Sequence, residues 1–524
     1  MRMARAVWLS AATMASRVLG LVRDQLFAAL VGANRFSDAY VVAFRIPNLL
    51  RDLFAEGALS SAFVPTFADV HANRGREEAW RLGNAVVGVI LAVVGAFVLL
   101  GVLLAPWIVR VMAPGFEAEQ SALAAELTRI MMPFLLLVSL SAAAMGMLNA
   151  QSRFAAPALA PALFNVGAIA VGIGLWVAGK GPRAAVVGWS LGTLLGGLLQ
   201  LLAQVPSLWR LGYRPRPRFG RAVLSDPGVR RIGRLMAPAV VGLSATQVNI
   251  VVNTFFASHE VGANSWLQYA FRLMQLPLGV FGVAIATVAG AGVAQRAAVR
   301  DMDGVRETLG SAMRLVAFFN VPSTVGLVVL AHPIVALIFQ HRLFGPADTA
   351  ATAGALVFYA VGLYGYSAVK VLAPAYYALG EVRVPVLGSI VGMVSNVGLN
   401  LALYPVMGFR GVALGTSLAA SANFAVLAIA WKRRHGGLGG AGIWRQLLRC
   451  VAAATAMAAA ALATARLLAP HLPLGGLARY APLALVPVAV GAVAYFAAAR
   501  LLGIRELGEV ADALRRRRGA PPGT

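Results

Sequence analysis

Charged side chains interrupt the first long apolar stretch of the sequence. Residues 15–32, ASRVLGLVRDQLFAALVG, have the length of a membrane-spanning helix but include Arg17, Arg23 and Asp24. At about 100° per residue, Ser16 and these charges fall within an arc of about 120° on one side of the helix. Because a charge at the bilayer centre costs about 2.5–3.5 kcal/mol, we expect this face to point into the protein or into a water-filled cavity.

The next apolar stretch carries a second polar stripe. Asp38, Arg45 and Asp52 are spaced by seven residues, and Glu56 follows four residues later. A helix would present all four on one face, with Arg51 beside them. The same reasoning therefore predicts that these charges avoid lipid.

The second half of the sequence also has charges in apolar surroundings. Gln268, Arg272 and Gln275 form a polar stripe at positions i, i+4 and i+7, and Lys370 lies inside a later apolar stretch. Internal ion pairing, for example Arg17 with Asp24, is one interpretation of such charges, but it does not account for the whole set.

Cations outnumber acids among these side chains. The cations are Arg17, Arg23, Arg45, Arg51, Arg272 and Lys370, and the acids are Asp24, Asp38, Asp52 and Glu56. Ion pairs such as Arg45 with Asp52 leave an excess of positive charge. A cavity lined by these groups suits an anion, and the planar guanidinium group is best matched to phosphate.

Four asparagines could bind a coupling cation. Asn249 and Asn253 lie in the seventh predicted span, and Asn396 and Asn400 lie in the eleventh. No carboxylate accompanies them, and a strong sodium site would need one. Hydrogen bonds between helices are the alternative interpretation. We therefore expect the membrane potential to drive the protein, with sodium as the alternative and no other cofactor.

The composition identifies the class of protein. Of the 524 residues, 59% are hydrophobic and 12% charged, and the mean hydropathy is +0.76. These values are typical of an all-α polytopic membrane protein. The single cysteine, Cys450, excludes an internal disulfide, and six scattered histidines lack metal-ligand spacing. The formal charge of +25 lies mainly in loops and the tail, so we do not infer a nucleic-acid partner.

Apolar runs between polar breaks predict fourteen transmembrane helices. The predicted spans are 6–31, 37–70, 84–113, 122–149, 156–178, 184–209, 235–257, 265–294, 308–339, 348–378, 385–403, 411–431, 450–468 and 481–502. Arg and Lys are concentrated in alternate loops, including RLGYRPRPRFGR in the loop 210–234. Because cytoplasmic loops are the basic ones, both termini should be cytoplasmic. Binding of anionic lipid is a second explanation for these basic loops.

Short motifs recur at a constant offset. GPRAAVVGWSL at 181–191 returns as GFRGVALGTSL at 408–418, and AFRIPNLLRDLF at 43–54 returns as AFRLMQLPLGVF at 270–281. VGAN at 31–34 recurs at 261–264, at an offset three residues larger. Two halves of six spans each insert in the same sense, which is the plan of a parallel-repeat transporter.

The repeat predicts five segments. They are an N-lobe at 1–213, a basic cytoplasmic linker at 214–234, a C-lobe at 235–434, two further helices at 435–503 and a basic cytoplasmic tail at 504–524.

Longer motifs resemble a known family. SRVLGLVRD at 16–24, SDAYVVAFRIPNLLRDLFAEGALSSAFVPTF at 37–67 and KVLAPAYYALGEVRVP at 370–385 resemble the MurJ (MviN) lipid II flippases of the multidrug/oligosaccharidyl-lipid/polysaccharide exporter superfamily. The resemblance implies two six-helix lobes around a central cationic cavity, plus two C-terminal helices with a groove for a lipid tail. It also implies alternating access that moves lipid II from the cytoplasmic to the periplasmic leaflet of the bacterial inner membrane.

The resemblance also implies site residues. Arg17, Arg23, Arg51 and Arg272 match the cavity arginines of the family, and Asp38 matches the acidic residue that opens the second helix. These residues would bind the diphosphate of lipid II, and the expected further partners are membrane lipids and other cell-wall synthesis proteins. The sequence departs from the family where an acidic residue often precedes the arginine of the eighth helix, because Phe271 is found there.

Other functions predict features that the sequence lacks or leaves open. A polyprenyl-linked glycosyltransferase would need carboxylates at a membrane face and a sizeable soluble loop, so we predict a transporter and not an enzyme. An exporter of drugs or of another lipid-linked oligosaccharide remains an alternative, as does a membrane scaffold that recruits partners through its basic tail.

Overall fold

The structure, a computed structural model, describes residues 2–52, 59–179, 181–438, 442–473 and 475–508, and in these ranges all regular structure is helical. The helices are α1 (Arg2–Val31), α2 (Arg35–Arg51), α3 (Ser60–Arg74), α4 (Arg76–Leu103), α5 (Ala105–Met112), α6 (Ala118–Ala150), α7 (Ala155–Gly179), α8 (Pro182–Leu202), α9 (Val205–Arg210), α10 (Arg221–Leu224), α11 (Pro227–Ala257), α12 (Ala263–Pro277), α13 (Val283–Ala298), α14 (Met302–Val329), α15 (Ala331–Phe339), α16 (Pro346–Val361), α17 (Leu363–Ala378), α18 (Arg383–Met407), α19 (Phe409–His435), α20 (Gly442–Leu468) and α21 (Leu477–Leu501). Glu56 and most of the predicted tail, 509–524, lie outside the described residues.

Length and composition identify the membrane-spanning helices. Among the described residues, ten helices could cross a bilayer, and the pair α16 and α17, bent by 42°, would make eleven. The predicted membrane class is therefore confirmed, while the count of fourteen stays a prediction. The helix α2 is not among the ten, since it has only 17 residues and carries the charged stripe.

The duplication reappears in the bounds of the helices. A break at Leu104 separates α4 from α5, and a break at Leu330 separates α14 from α15, 226 residues later. Pro106 and Pro333 lie in the first turns of α5 and α15, where the backbone N–H that proline lacks has no partner within the helix. The helical hairpins α7–α8 and α18–α19 repeat with nearly the same offset. The repeat read from short motifs is thus also a repeat of helices.

The chain forms two compact units. The first comprises Met1–Ser265 with Arg342–Phe344, and the second comprises Trp266–His341 with Gly345–Thr524. The first unit therefore contains α11, the first helix of the second repeat. The predicted lobes divide the chain earlier, at the linker 214–234, and that division stays a prediction.

In the first unit, α6 packs against α2, α4 and α8, and its core includes Met131 and Phe134. Small residues let backbones approach closely, because a Cβ added to Gly167 would lie 2.9 Å from the Cα atom of Gly196. In the second unit, α14 contacts α13, α17 and α20. The hydroxyl of Tyr495 on α21 donates to the carbonyl of Phe318 on α14 at 2.7 Å, which anchors the last two helices.

Candidate functional site

The polar face of α1 lies beside α7. The Nδ2 atom of Asn165 donates to the carbonyl of Ser16 at 3.2 Å, and the guanidinium of Arg23 lies 5.6 Å from the ring centroid of Phe164. Arg23 also pairs with Asp24 at 2.8 Å, with both side chains less than one-fifth exposed. Arg17 is exposed on the same helix. The predicted face exists, and α7 fixes one of its two arginines.

The ion pairs within the charged stripes have partners other than those predicted. Asp24 pairs with Arg23 and not with Arg17, and Asp52 pairs with its neighbour Arg51 at 3.1 Å. The pair of Arg45 with Asp52, given as an example of internal ion pairing, is replaced by the pair of Arg51 with Asp52. Adjacent residues pair here because the long, flexible arginine side chain can bend toward the short carboxylate beside it.

Arg45 connects α2 to α11 and to the start of α12. Its Nη1 atom donates to Thr254 Oγ1 and to Asn264 Oδ1, both at 2.7 Å. All three residues belong to the first unit. These bonds give Arg45 a structural role in this conformation, and its role in substrate binding stays a prediction.

Asp38 is an anchor for the turn between α11 and α12. Its side chain is fully buried, and it accepts hydrogen bonds from the backbone N–H groups of Gly262 at 2.6 Å and Ser265 at 2.9 Å. The hydroxyl of Ser265 lies 2.7 Å from Asp38 Oδ1 and 2.8 Å from the hydroxyl of Ser37. A carboxylate at a helix N-terminus is favourable. Asp38 therefore holds the start of α12 in this conformation, and its role in substrate binding stays a prediction.

Together these contacts form a polar latch. We use that name for Ser37, Asp38 and Arg45 on α2 with their partners Thr254, Gly262, Asn264 and Ser265. The sequence analysis missed the partners of α2. The repeat carried the signal, since Asp38 and Ser265 occupy equivalent positions 227 residues apart.

Arg272 and Lys370 belong to the second unit. Arg272 is half-buried on α12, and Lys370 is exposed on α17. Phe271, the departure from the family pattern, packs its ring edge-on to Tyr359, with centroids 5.3 Å apart. An aromatic contact therefore holds this turn of α12. That the arginines of both units line one cavity stays a prediction.

The predicted asparagine cluster divides between the units. Asn396 and Asn400 are buried on α18, and Asn396 Nδ2 donates to Thr416 Oγ1 on α19 at 3.3 Å. Asn400 Nδ2 lies 3.4 Å from Asn396 Oδ1. Asn253 lies on α11 in the first unit. The interpretation as hydrogen bonds between helices is confirmed for Asn396. Among the described residues, no group of three His, Cys, Asp or Glu is placed to hold a metal ion.

The arrangement of helices defines a class of transporter. An inward-facing multidrug resistance MATE family transporter of the MOP superfamily aligns with 84% of this chain and 99% of its own, with a TM-score of 0.66 and 18% identity. That likeness shows the fold. A lipid II flippase MurJ in an inward closed conformation covers 94% of this chain and 98% of its own, with a TM-score of 0.78 and 26% identity.

Sequence comparison then identifies the family. The family model for lipid II flippase MurJ matches residues 27–480. A probable lipid II flippase MurJ of Vibrio cholerae is 37% identical over 429 residues, which are 80% of each chain. The chain belongs to the lipid II flippase MurJ family, whose members are transporters and not enzymes.

Proposed function

We propose that this protein moves lipid II from the cytoplasmic to the periplasmic leaflet of the bacterial inner membrane by alternating access. The observation that carries the proposal is the polar latch, which joins the repeat-related helices α2 and α12 through Asp38 and Ser265. By the charge pattern of the loops, the latch lies at the outward end. The exposed Arg17 on α1 offers a positive charge to an anionic head group.

The arginines supply the recognition. Arg17, Arg23 and Arg51 from the first unit, with Arg272 and Lys370 from the second, bind the diphosphate of lipid II in our proposal. Arg51 and Asp52 form a part-exposed pair, in which the carboxylate can yield its place to a phosphate oxygen. The sugar and peptide head group occupies the cavity. The prenyl tail stays in lipid beside α20 and α21, which expose Leu448 and Val493.

The membrane potential supplies the energy in our proposal. Moving one unit of negative charge out of the cytoplasm is favoured by about 2.3 kcal/mol per 100 mV of membrane potential. At about 100 mV, transport of a head group with a charge of about −2 is therefore favoured by about 4–5 kcal/mol. After lipid II is released, the positive charges of the uncovered arginines would be drawn by the same field toward the cytoplasm, which would return the empty protein to its starting state. The hydrogen bond from Asn396 to Thr416 on α19 gives this asparagine a structural role. It therefore supports a cycle driven by the membrane potential over one driven by sodium.

Complementation tests the cargo. The protein should restore growth to cells depleted of their own lipid II flippase, and a variant with Arg51→Ala should not, although it reaches the membrane in normal amounts. An exporter of drugs or a scaffold would fail to restore growth.

Liposomes test the energy source. Reconstituted protein should flip lipid II faster under a potassium-diffusion potential in sodium-free buffer. A rate that ignores the potential but rises when sodium is added would show that sodium is the coupling ion.

A further inference from the structure

A turn from the second repeat packs into the first unit. The N–H of Leu343 donates to the carbonyl of Ala29 at 3.1 Å, and the guanidinium of Arg342 lies 4.9 Å from the ring centroid of Trp176. A Cβ added to Gly32 would lie 2.9 Å from the carbonyl oxygen of Leu343. Phe344 is 1% exposed. The turn Arg342–Phe344 is therefore seated on the C-terminal end of α1.

The equivalent turn of the first repeat makes the reciprocal contact. The N–H of Gly115 donates to the hydroxyl of Ser258 at 3.0 Å, at the C-terminal end of α11. A Cβ added to Gly115 would lie 2.7 Å from the Cα atom of His259. Gly115 precedes Leu343 by 228 residues, and α11 is the repeat counterpart of α1. The turn of each repeat thus sits on the first helix of the other.

A third contact joins the start of α2 to the start of α12. The hydroxyls of Ser37 and Ser265 lie 2.8 Å apart, and the hydroxyl of Ser265 lies 2.7 Å from Oδ1 of Asp38, its repeat equivalent. The latch is therefore accompanied by two related turns, which we call the clasp turns, Ala113–Phe116 and Arg342–Phe344. All of these residues belong to the first unit.

We propose that the two clasp turns form a reciprocal closure at the outward end and that both must release before the protein opens outward. This inference rests on the proposed alternating access. Each clasp uses main-chain groups and has a glycine, Gly32 or Gly115, at the point of closest approach. An added methyl group at either glycine should therefore weaken its clasp. Weakening either clasp raises the population of the outward-open state, because the contacts exist only when the end is closed.

Accessibility of a buried cysteine tests the closure. Ala263, at the start of α12, is 0% exposed, and Ala263→Cys in a Cys450→Ala background reports on opening at this end. Labelling with a membrane-impermeant maleimide from outside should be about fivefold faster or more with Gly115→Ala than without it. Gly95→Ala is the matched control, since nothing lies within 4 Å of a Cβ at that helical glycine.

Two variants that only shorten a side chain test the clasps without placing a new atom at a close contact. Ser258→Ala removes the acceptor for Gly115 together with the hydroxyl's own hydrogen bond to the carbonyl of Phe255, and Arg342→Ala removes the contact with Trp176. Each should raise the labelling rate by a smaller factor, and the two together should raise it more than either alone. Equal labelling in all variants and the Gly95→Ala control, or no labelling in any, overturns the closure. Loss of complementation by the wild-type chain would overturn the lipid II cargo and leave the labelling result unaffected.

Discussion

The two ends of α2 carry charges in opposite surroundings. At the N-terminal end, Asp38 is fully buried, and backbone N–H groups bind both of its carboxylate oxygens. At the C-terminal end, Arg51 and Asp52 pair with each other and keep 26% and 40% of their side-chain surfaces exposed. A charge satisfied by buried backbone holds helices together, whereas a part-exposed pair can exchange a partner for a ligand. Burial and partners, more than residue type, separate the two roles.

The largest effect should come from the exposed end of α2. Arg51→Ala removes a charge-assisted contact worth about 1.5–3 kcal/mol, so lipid II flipping should fall about 10- to 100-fold. Arg51→Lys keeps the charge but loses the planar fork of the guanidinium group, so its flipping rate should lie between those of the wild-type protein and Arg51→Ala. A flipping assay in liposomes measures the rates. Arg81→Ala, in a surface pair with Glu78, is the control. Normal flipping by Arg51→Ala would remove this end of α2 from the site.

The buried end should change the conformation first. Asp38→Ala leaves the N–H groups of Gly262 and Ser265 without their acceptor, at a cost of about 1–3 kcal/mol to the closed state. The Ala263→Cys reporter should then be labelled about 5- to 100-fold faster from outside. Asp38→Asn, which keeps one acceptor oxygen, should have a smaller effect. If Asp38→Ala lowered the affinity for lipid II without changing the labelling rate, the division of roles along α2 would be wrong.

Arg45 lies between the two ends and provides an intermediate test. Arg45→Met keeps the length of the side chain but loses the bonds to Thr254 and Asn264. We expect the closed state to lose about 1–2 kcal/mol and the labelling rate to rise about tenfold. Thr254→Val, which removes one of the two acceptors, should give a smaller rise. An unchanged labelling rate in Arg45→Met would show that Arg45 does not stabilise the closed state and would favour its role in substrate binding.

The smallest effect should come from the asparagine cluster of the second unit. Asn400→Ala should lower stability by about 1 kcal/mol, as expected for the loss of one buried side-chain hydrogen bond, which Asn400 makes to Asn396 on the same helix. Flipping in liposomes should keep its dependence on potential and remain independent of sodium. If flipping in the wild-type protein depends on sodium and Asn400→Ala abolishes that dependence, the cluster is an ion site.

The sequence was sufficient to predict which positions are polar but not what they contact. The arc on α1 and the stripe on α2 follow from helical periodicity, and the structure contains both. The partners of Asp38 and Arg45 lie more than 200 residues away along the chain, so local spacing could not identify them. It instead suggested pairs within one helix, such as Arg45 with Asp52.

The repeat predicted equivalent helices but not their packing. The offset near 227 residues correctly matched the hairpins α7–α8 and α18–α19. It did not reveal that α11 and the turn Arg342–Phe344 pack with the first unit. Those placements depend on close approach at Gly32 and Gly115, where the absence of a Cβ leaves no hydrophobic pattern in the sequence.

The contact between Asp38 and Ser265 has an evolutionary consequence. The two residues are 227 residues apart, which is the offset of the motifs in α2 and α12, so they occupy equivalent positions of the repeat. Equivalent residues that touch each other are what a symmetric homodimer of identical chains makes on its two-fold axis. A homodimeric ancestor of half this length would carry the same residue on both sides of that contact, and a single mutation would alter both sides at once. In the single chain the two positions differ, so that one supplies a carboxylate acceptor and the other a hydroxyl donor.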